Sequence, residues 1–375
     1  MSLTRSIPVG RIRGIPLGLD YSWFLIFALI TWSLAGSYFP EQYPGWSTGL
    51  YWAIGLATSL LFFVSVVLHE LGHSVIALRN GIPVRSITLF IFGGVAQIGR
   101  EPSSPGVEFL VAIAGPIVSF ALAGLFGALG WLGASFAPLA ALATYLAYIN
   151  GSLGLFNLIP GFPLDGGRVF RAILWRVTHS FRRATEIAGG AGHLFAWMFI
   201  FWGVWQMFGG NFFGGLWIAF IGWFLQNAAT ASVQQMTLER LLTGHTVGEI
   251  MTRECPTLAP EVTLEQLVHD HILTTGRRYF PVARAGRVEG LLSLHHVKEI
   301  PRERWAATTV EQAMTPLAQL RIAHPGDGLW TAMQEMTADG VNQLPVTDTA
   351  NGELAGVLAR DNVLTFVRTL AEVGV

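Results

Sequence analysis

VVLHELGHSVIA, residues 66–77, sets two histidines and a glutamate inside a run otherwise apolar enough to sit in lipid. In a hydrocarbon setting each such group costs several kcal/mol unless it is paired, bound to metal or turned toward a water-filled cavity. The surrounding apolar run, residues 52–78, is long enough to cross a hydrocarbon core about 30 Å thick at about 1.5 Å per residue. The reading of these three polar groups therefore decides both the fold class and the chemistry.

The rest of the chain agrees with a membrane setting. Of its 375 residues 52% are hydrophobic and only 13% charged, too apolar for one soluble globule. The excess is uneven: residues 1–230 carry 11 Arg, no Lys and 7 acidic groups, whereas residues 231–375 carry 12 basic and 17 acidic groups. Apolar runs near 21–39, 52–78, 107–134, 140–160, 191–208 and 212–230 give six candidate spans. The first lacks a small-residue cleavage site and is followed by further spans, so it reads as a retained helix. The chain is thus expected to be a polytopic α-helical membrane protein over 1–230, with a connector at 231–244 and a soluble α/β part over 245–375. Cys255 is the only cysteine, which excludes an internal disulfide. The net charge of −1, with no basic block, carries no nucleic-acid signal.

Arginine placement predicts the orientation. Arg5, Arg11 and Arg13 precede the first span, Arg79, Arg85 and Arg100 lie between the second and third, and Arg168, Arg171, Arg176, Arg182 and Arg183 lie between the fourth and fifth. The other loops carry no basic residue. Both termini and the soluble part are expected on the cytoplasmic side. On that orientation His69, Glu70 and His73 fall near the cytoplasmic end of the second span. The fourth span ends in FNLIPGFPLDGGR, bringing Asn157 and Asp165 to a similar depth.

His-Glu-x-x-His on a helix puts two imidazoles one turn apart on one face, where both can bind one zinc ion. The glutamate beside the first histidine can serve as base toward a zinc-bound water. A catalytic zinc needs a third protein ligand and an open position, and Asp165, on a Gly- and Pro-rich helix end, is the expected donor. The bland readings are histidines bonded to neighbouring helices and an aspartate that ends a turn paired with Arg168. His193 in the fifth span reads as an interior hydrogen-bonded histidine and Asp20 as interfacial.

HELGH at 69–73, NLIPGFPLDGG at 157–167 and the six-span frame around them resemble the site-2 protease family of intramembrane zinc metalloproteases. The resemblance implies one zinc ion per chain held by His69, His73 and Asp165, with Glu70 as catalytic base and Asn157 helping to hold substrate or polarise its carbonyl. It also implies a membrane-anchored protein as substrate, cut within or beside its transmembrane segment, in regulated intramembrane proteolysis. GIPVRSITLFIFGGVAQIGREP, residues 81–102, alternates as strands do, with a break at Gly93-Gly94. The resemblance makes this a re-entrant β-hairpin beside the active site, and an ordinary cytoplasmic hairpin is the plain alternative. Gly189, Gly190, Gly192 and the GGNFFGG loop would let the fifth and sixth spans act as a lateral gate or simply pack closely. The competing function is a metal-ion transporter with an intramembrane His/Asp site.

The soluble part is a repeat. TVGEIMT at 246–252 returns as TVEQAMT at 309–315, RRYFPVA as VNQLPVT, and GLLSLHHV as GVLARDNV. Two copies, about 245–300 and 308–370, predict a pseudo-symmetric pair. They resemble paired cystathionine-β-synthase (CBS) domains, which implies a regulatory role, a homodimer contact and an adenosine nucleotide between the copies. The family's nucleotide pattern places Asp three residues after a Ser or Thr. Copy one keeps Ser293 but has His296, and copy two has Ala359 and Asn362 with Asp361 one place early, which weighs against the nucleotide.

Overall fold

The computed structural model describes residues 6–284, 287–348 and 353–373. The chain divides into two compact units, Arg5–Gln235 and Met236–Val375.

The first unit holds six helices long and apolar enough to cross a membrane: α1 (Tyr21–Gln42), α2 (Thr48–Arg79), then, past a hairpin, α3 (Pro105–Leu132) and α4 (Ala137–Asn157), and past a shorter helix, α5 (Asp165–Thr178), α6 (Phe181–Phe208) and α7 (Phe212–Leu242). Their ends follow from local chemistry. Ser47 and Ser104 accept hydrogen bonds from Leu50 and Val107 and so cap α2 and α3. Asp20, expected to be merely interfacial, caps α1 by accepting from the Ser22 amide at 2.9 Å. The fourth span stops at Asn157, short of Pro160, and the sixth runs on to Leu242 through the expected connector. Where α6 meets α7, a Cβ on Gly203 would lie 2.4 Å from Ala219 N and one on Gly222 2.7 Å from Ala196 O, so glycine permits this close crossing.

Residues 81–102 form the expected hairpin, β3 (Val84–Phe90) and β4 (Gly93–Ile98). Its turn falls at Ile91-Phe92, with Gly93-Gly94 opening the second strand. The Phe92 ring at the tip stacks on Phe224 of α7 at 4.0 Å. The N-terminal arginine-bearing stretch, read only as a flank of the first span, is a second hairpin, β1 (Ile7–Ile12) and β2 (Ile15–Leu19). It turns at Arg13 and Gly14, both with positive φ. Strand β2 runs parallel to β3, giving a sheet of order β1-β2-β3-β4 with β4 at one edge.

In the second unit the two repeats are interleaved. Copy one contributes β5 (Tyr279–Arg284), β6 (Arg287–Ser293) and α8 (Leu294–Glu299). Copy two opens with β7 (Thr315–Pro316) and continues through α9 (Leu329–Ala338), β8 (Gln343–Thr347), β9 (Leu354–Ala359) and α10 (Arg360–Val373). Yet β7 pairs with β6 of copy one, and Thr252 of copy one bridges to Val357 in β9 of copy two. The cores exchange likewise: Val310 packs with Leu264, Phe280 and Leu292, while Val247 packs with Leu329, Leu344 and Leu358. Gly290 and Gly356 mark the equivalent crossings, where a Cβ would fall 2.5 Å from Thr315 O and Thr252 O.

Candidate metal centre

Helix α2 sets His69 and His73 one turn apart, both buried. Their Nε2 atoms are 3.3 Å apart, and each is 3.1 Å from Asp165 Oδ2. Ligands about 2.0–2.1 Å from a tetrahedral zinc stand about 3.3 Å from one another, so the three atoms already have the spacing that such an ion requires. The rear nitrogens are also committed. His73 Nδ1 donates to the Val111 carbonyl at 2.7 Å, which leaves Nε2 as a lone-pair donor, and His69 Nδ1 lies 2.8 Å from Ser119 Oγ. These partners, with Gly115 between them, lie on one stripe of α3. A Cβ on Gly115 would come within 2.2 Å of His73 Nε2 and 2.6 Å of His69 Nε2. On this geometry the residues fit zinc.

Asp165 reaches the cluster as the first residue of α5, after the chain turns back at 158–164. Gly166 and Gly167 permit that turn, since a Cβ on either would lie 2.3–2.4 Å from the backbone of Leu158 or Gly161. The Asp165 side chain is partly exposed, at 16%, while those of His69 and His73 are buried. Its partners are the histidines, in place of the Arg168 of the turn reading.

Glu70 faces β4. A Cβ on Gly94 would lie 2.5 Å from Glu70 Cγ and 3.0 Å from its Oε1. The edge strand therefore runs directly over the candidate base. Asn157 ends α4 half-buried, and its side chain makes no hydrogen bond among the described residues. His193 lies outside the cluster and bonds Gln226 Oε1 on α7 at 2.9 Å. Sequence reasoning missed the α3 stripe of Glu108, Val111, Gly115 and Ser119, all buried. Its only signal was a glutamate and a serine at helical spacing in an apolar run.

Six helices able to cross a membrane, and among them two buried histidines with a partly exposed carboxylate and a glutamate alongside, define a membrane-embedded metallohydrolase. The Peptidase family M50 profile matches residues 57–141 and 132–201, and the CBS domain profile matches 247–303 and 310–369. Rip3 of Mycobacterium tuberculosis, named as a zinc metalloprotease, is 34% identical over 366 residues, spanning 96% of this chain and 93% of that protein. The similarly named sll0528 of Synechocystis sp. is 33% identical over 374 residues, 98% and 97% of the two chains. Among solved structures, the site-2 protease from Methanocaldococcus jannaschii matches 60% of this chain and 94% of its own, with 28% identity and a TM-score of 0.42. The chain belongs to peptidase family M50, the site-2 protease family of zinc metalloproteases, and carries a tandem CBS pair. It is a multi-pass membrane metalloprotease whose cofactor is zinc.

In the CBS unit a cleft of about 570 Å³ is lined by Arg277, Arg278 and Tyr279 of copy one and by Asp361, Thr365 and Thr369 of copy two. The residues at the two Asp positions of the nucleotide pattern serve as helix caps. His296 Nδ1 accepts from the Ser293 amide at 3.3 Å, and Asn362 Oδ1 accepts from the Ala359 amide at 3.2 Å. Asp361 is instead the carboxylate that lines the cleft.

Proposed function

We propose that this protease cuts membrane-anchored regulatory proteins within or next to a transmembrane segment, close to the cytoplasmic face, under the control of its CBS pair. His69, His73 and Asp165 hold the zinc ion, and Glu70 is the catalytic base. The observation that carries the reading is the triangle of ligand atoms, about 3 Å on a side, with Glu70 beneath β4, an edge strand among the described residues. When bound, zinc polarises the scissile carbonyl and acidifies water. Glu70 takes the proton of the attacking water and passes it to the leaving amine, for which its place next to His69 suits it. Asn157, with its amide uncommitted, donates to the carbonyl oxygen as negative charge builds there. A helical substrate hides its carbonyls, so it must unwind, and β4, at the edge of its sheet among the described residues, offers replacement hydrogen bonds to the extended backbone.

The arginine distribution supports cytoplasmic termini and a cytoplasmic CBS pair. Against a transport path, which needs several sites along its length, His69, His73 and Asp165 form the one group of His, Cys, Asp or Glu side chains close enough to share a metal ion among the described residues.

Protein termini compared in membranes of cells carrying the wild type or Glu70→Gln test the reading. New termini inside or beside transmembrane segments are expected with the wild type only, and the variant keeps its zinc. A Glu70→Gln form that cleaves within about 100-fold of the wild-type rate would sink the assignment of the base.

A further inference from the structure

Arg171 heads the fully buried side chains by size among the described residues, at 1% exposure. It lies on α5, six residues beyond Asp165. Its Nε donates to Glu108 Oε1 at 2.6 Å, Nη2 closes on that same oxygen, and Nη1 reaches Glu101 Oε1 at 3.4 Å. The guanidinium lies over the rings of Phe181 and Phe162, 4.6 and 5.2 Å from their centroids. Glu108 is wholly buried and opens the α3 stripe that continues through Val111, Gly115 and Ser119. Arg171 thus joins the helix that carries Asp165 to the face of α3 that orients both histidines.

A buried ion pair is a poor means of filling space, because well-packed apolar residues of similar volume are often as stabilising or more so. What a guanidinium fork adds is direction, since two N–H groups aimed at one carboxylate fix the rotation and height of the helix that bears them. We propose that the Arg171–Glu108 clamp is a positioning device that sets Asp165 against His69 and His73, so that zinc affinity depends on its directed hydrogen bonds. The inference rests on the ligand assignment made above.

The test uses the full chain purified in detergent, with zinc affinity measured by chelator competition and ligand geometry read from the visible absorption of the cobalt(II)-substituted protein. Arg171→Lys keeps the charge but loses the fork. It is expected to weaken zinc binding about 10- to 100-fold and to shift the cobalt bands. The double variant Glu108→Leu/Arg171→Met fills the space without direction, and it is expected to fold with a wild-type melting profile yet bind zinc as weakly as Arg171→Lys. A folded double variant with wild-type affinity and spectrum would reduce the pair to packing and overturn the proposal. If the double variant does not fold, Arg171→Lys alone decides, and wild-type affinity there overturns it equally. Asp165→Ala separates the two levels. If that variant kept wild-type zinc affinity, the ligand assignment would fail and the clamp with it; if it lost zinc while Arg171→Lys did not, only the clamp would fail.

Discussion

At the scale of single residues, the centre is shaped as much by what is missing as by what is present. Gly115 leaves the gap into which both imidazoles turn, with less than 3 Å between its absent Cβ and either Nε2. One methyl group there must displace the helix or the rings, which Ser119 Oγ and the Val111 carbonyl hold from behind. Gly115→Ala is therefore expected to lower zinc affinity by about 100-fold or more while the six spans still insert; chelator competition checks it, and an unchanged affinity would contradict the packing described. His69, Glu70 and His73 stood out as candidates because positions i and i+4 share one face of a helix and because polar groups are conspicuous among apolar ones. Asp165 was legible through depth, from a second helix counted from the same side. Gly115 and Ser119 were not, because glycine and serine are common wherever membrane helices touch, and only the packing shows which of them serves the histidines.

At the scale of elements, length and hydropathy located every membrane-capable helix to within a few residues, apart from the ends of the fifth and sixth. The fifth begins ten residues before its apolar run and the sixth ends twelve after, because a helix continues past the point where its surroundings cease to be apolar. Hairpin β1-β2 was hidden because its turn is Arg-Gly and its strands carry glycine and proline, which weaken the alternation that reveals strands. Helix α5 was hidden because its apolar stripe is one-sided and too short to span. The interleaving of the CBS copies was hidden for another reason: repeats in register show that two units are alike, not which segment packs on which. That exchange has a measurable consequence. Val247→Ala lies in the opening turn of copy one, yet the core it would empty belongs to copy two. A loss of about 2 kcal/mol is expected to raise hydrogen exchange about 30-fold in β8 and β9. Exchange confined to residues 246–252 would refute the shared core.

At the scale of the whole molecule, a membrane metalloprotease is joined to a paired module with its own charged cleft. If that module regulates access, removing residues 245–375 should change cleavage rate or substrate choice about 5-fold or more, with zinc content unaltered. Unchanged rate, selectivity and oligomeric state would leave the module without a regulatory part.

The candidate ligands also lie far apart along the chain: Asp165 follows His69 by 96 residues and His73 by 92. Under the proposed assignment, a chain still being synthesised presents two histidines to the bilayer with no third donor until the fourth span has been inserted and the chain has turned back. An unfinished or prematurely ended product therefore carries the signature motif but no competent centre. The order of biosynthesis itself keeps a proteolytic activity silent until four spans of its own scaffold are built.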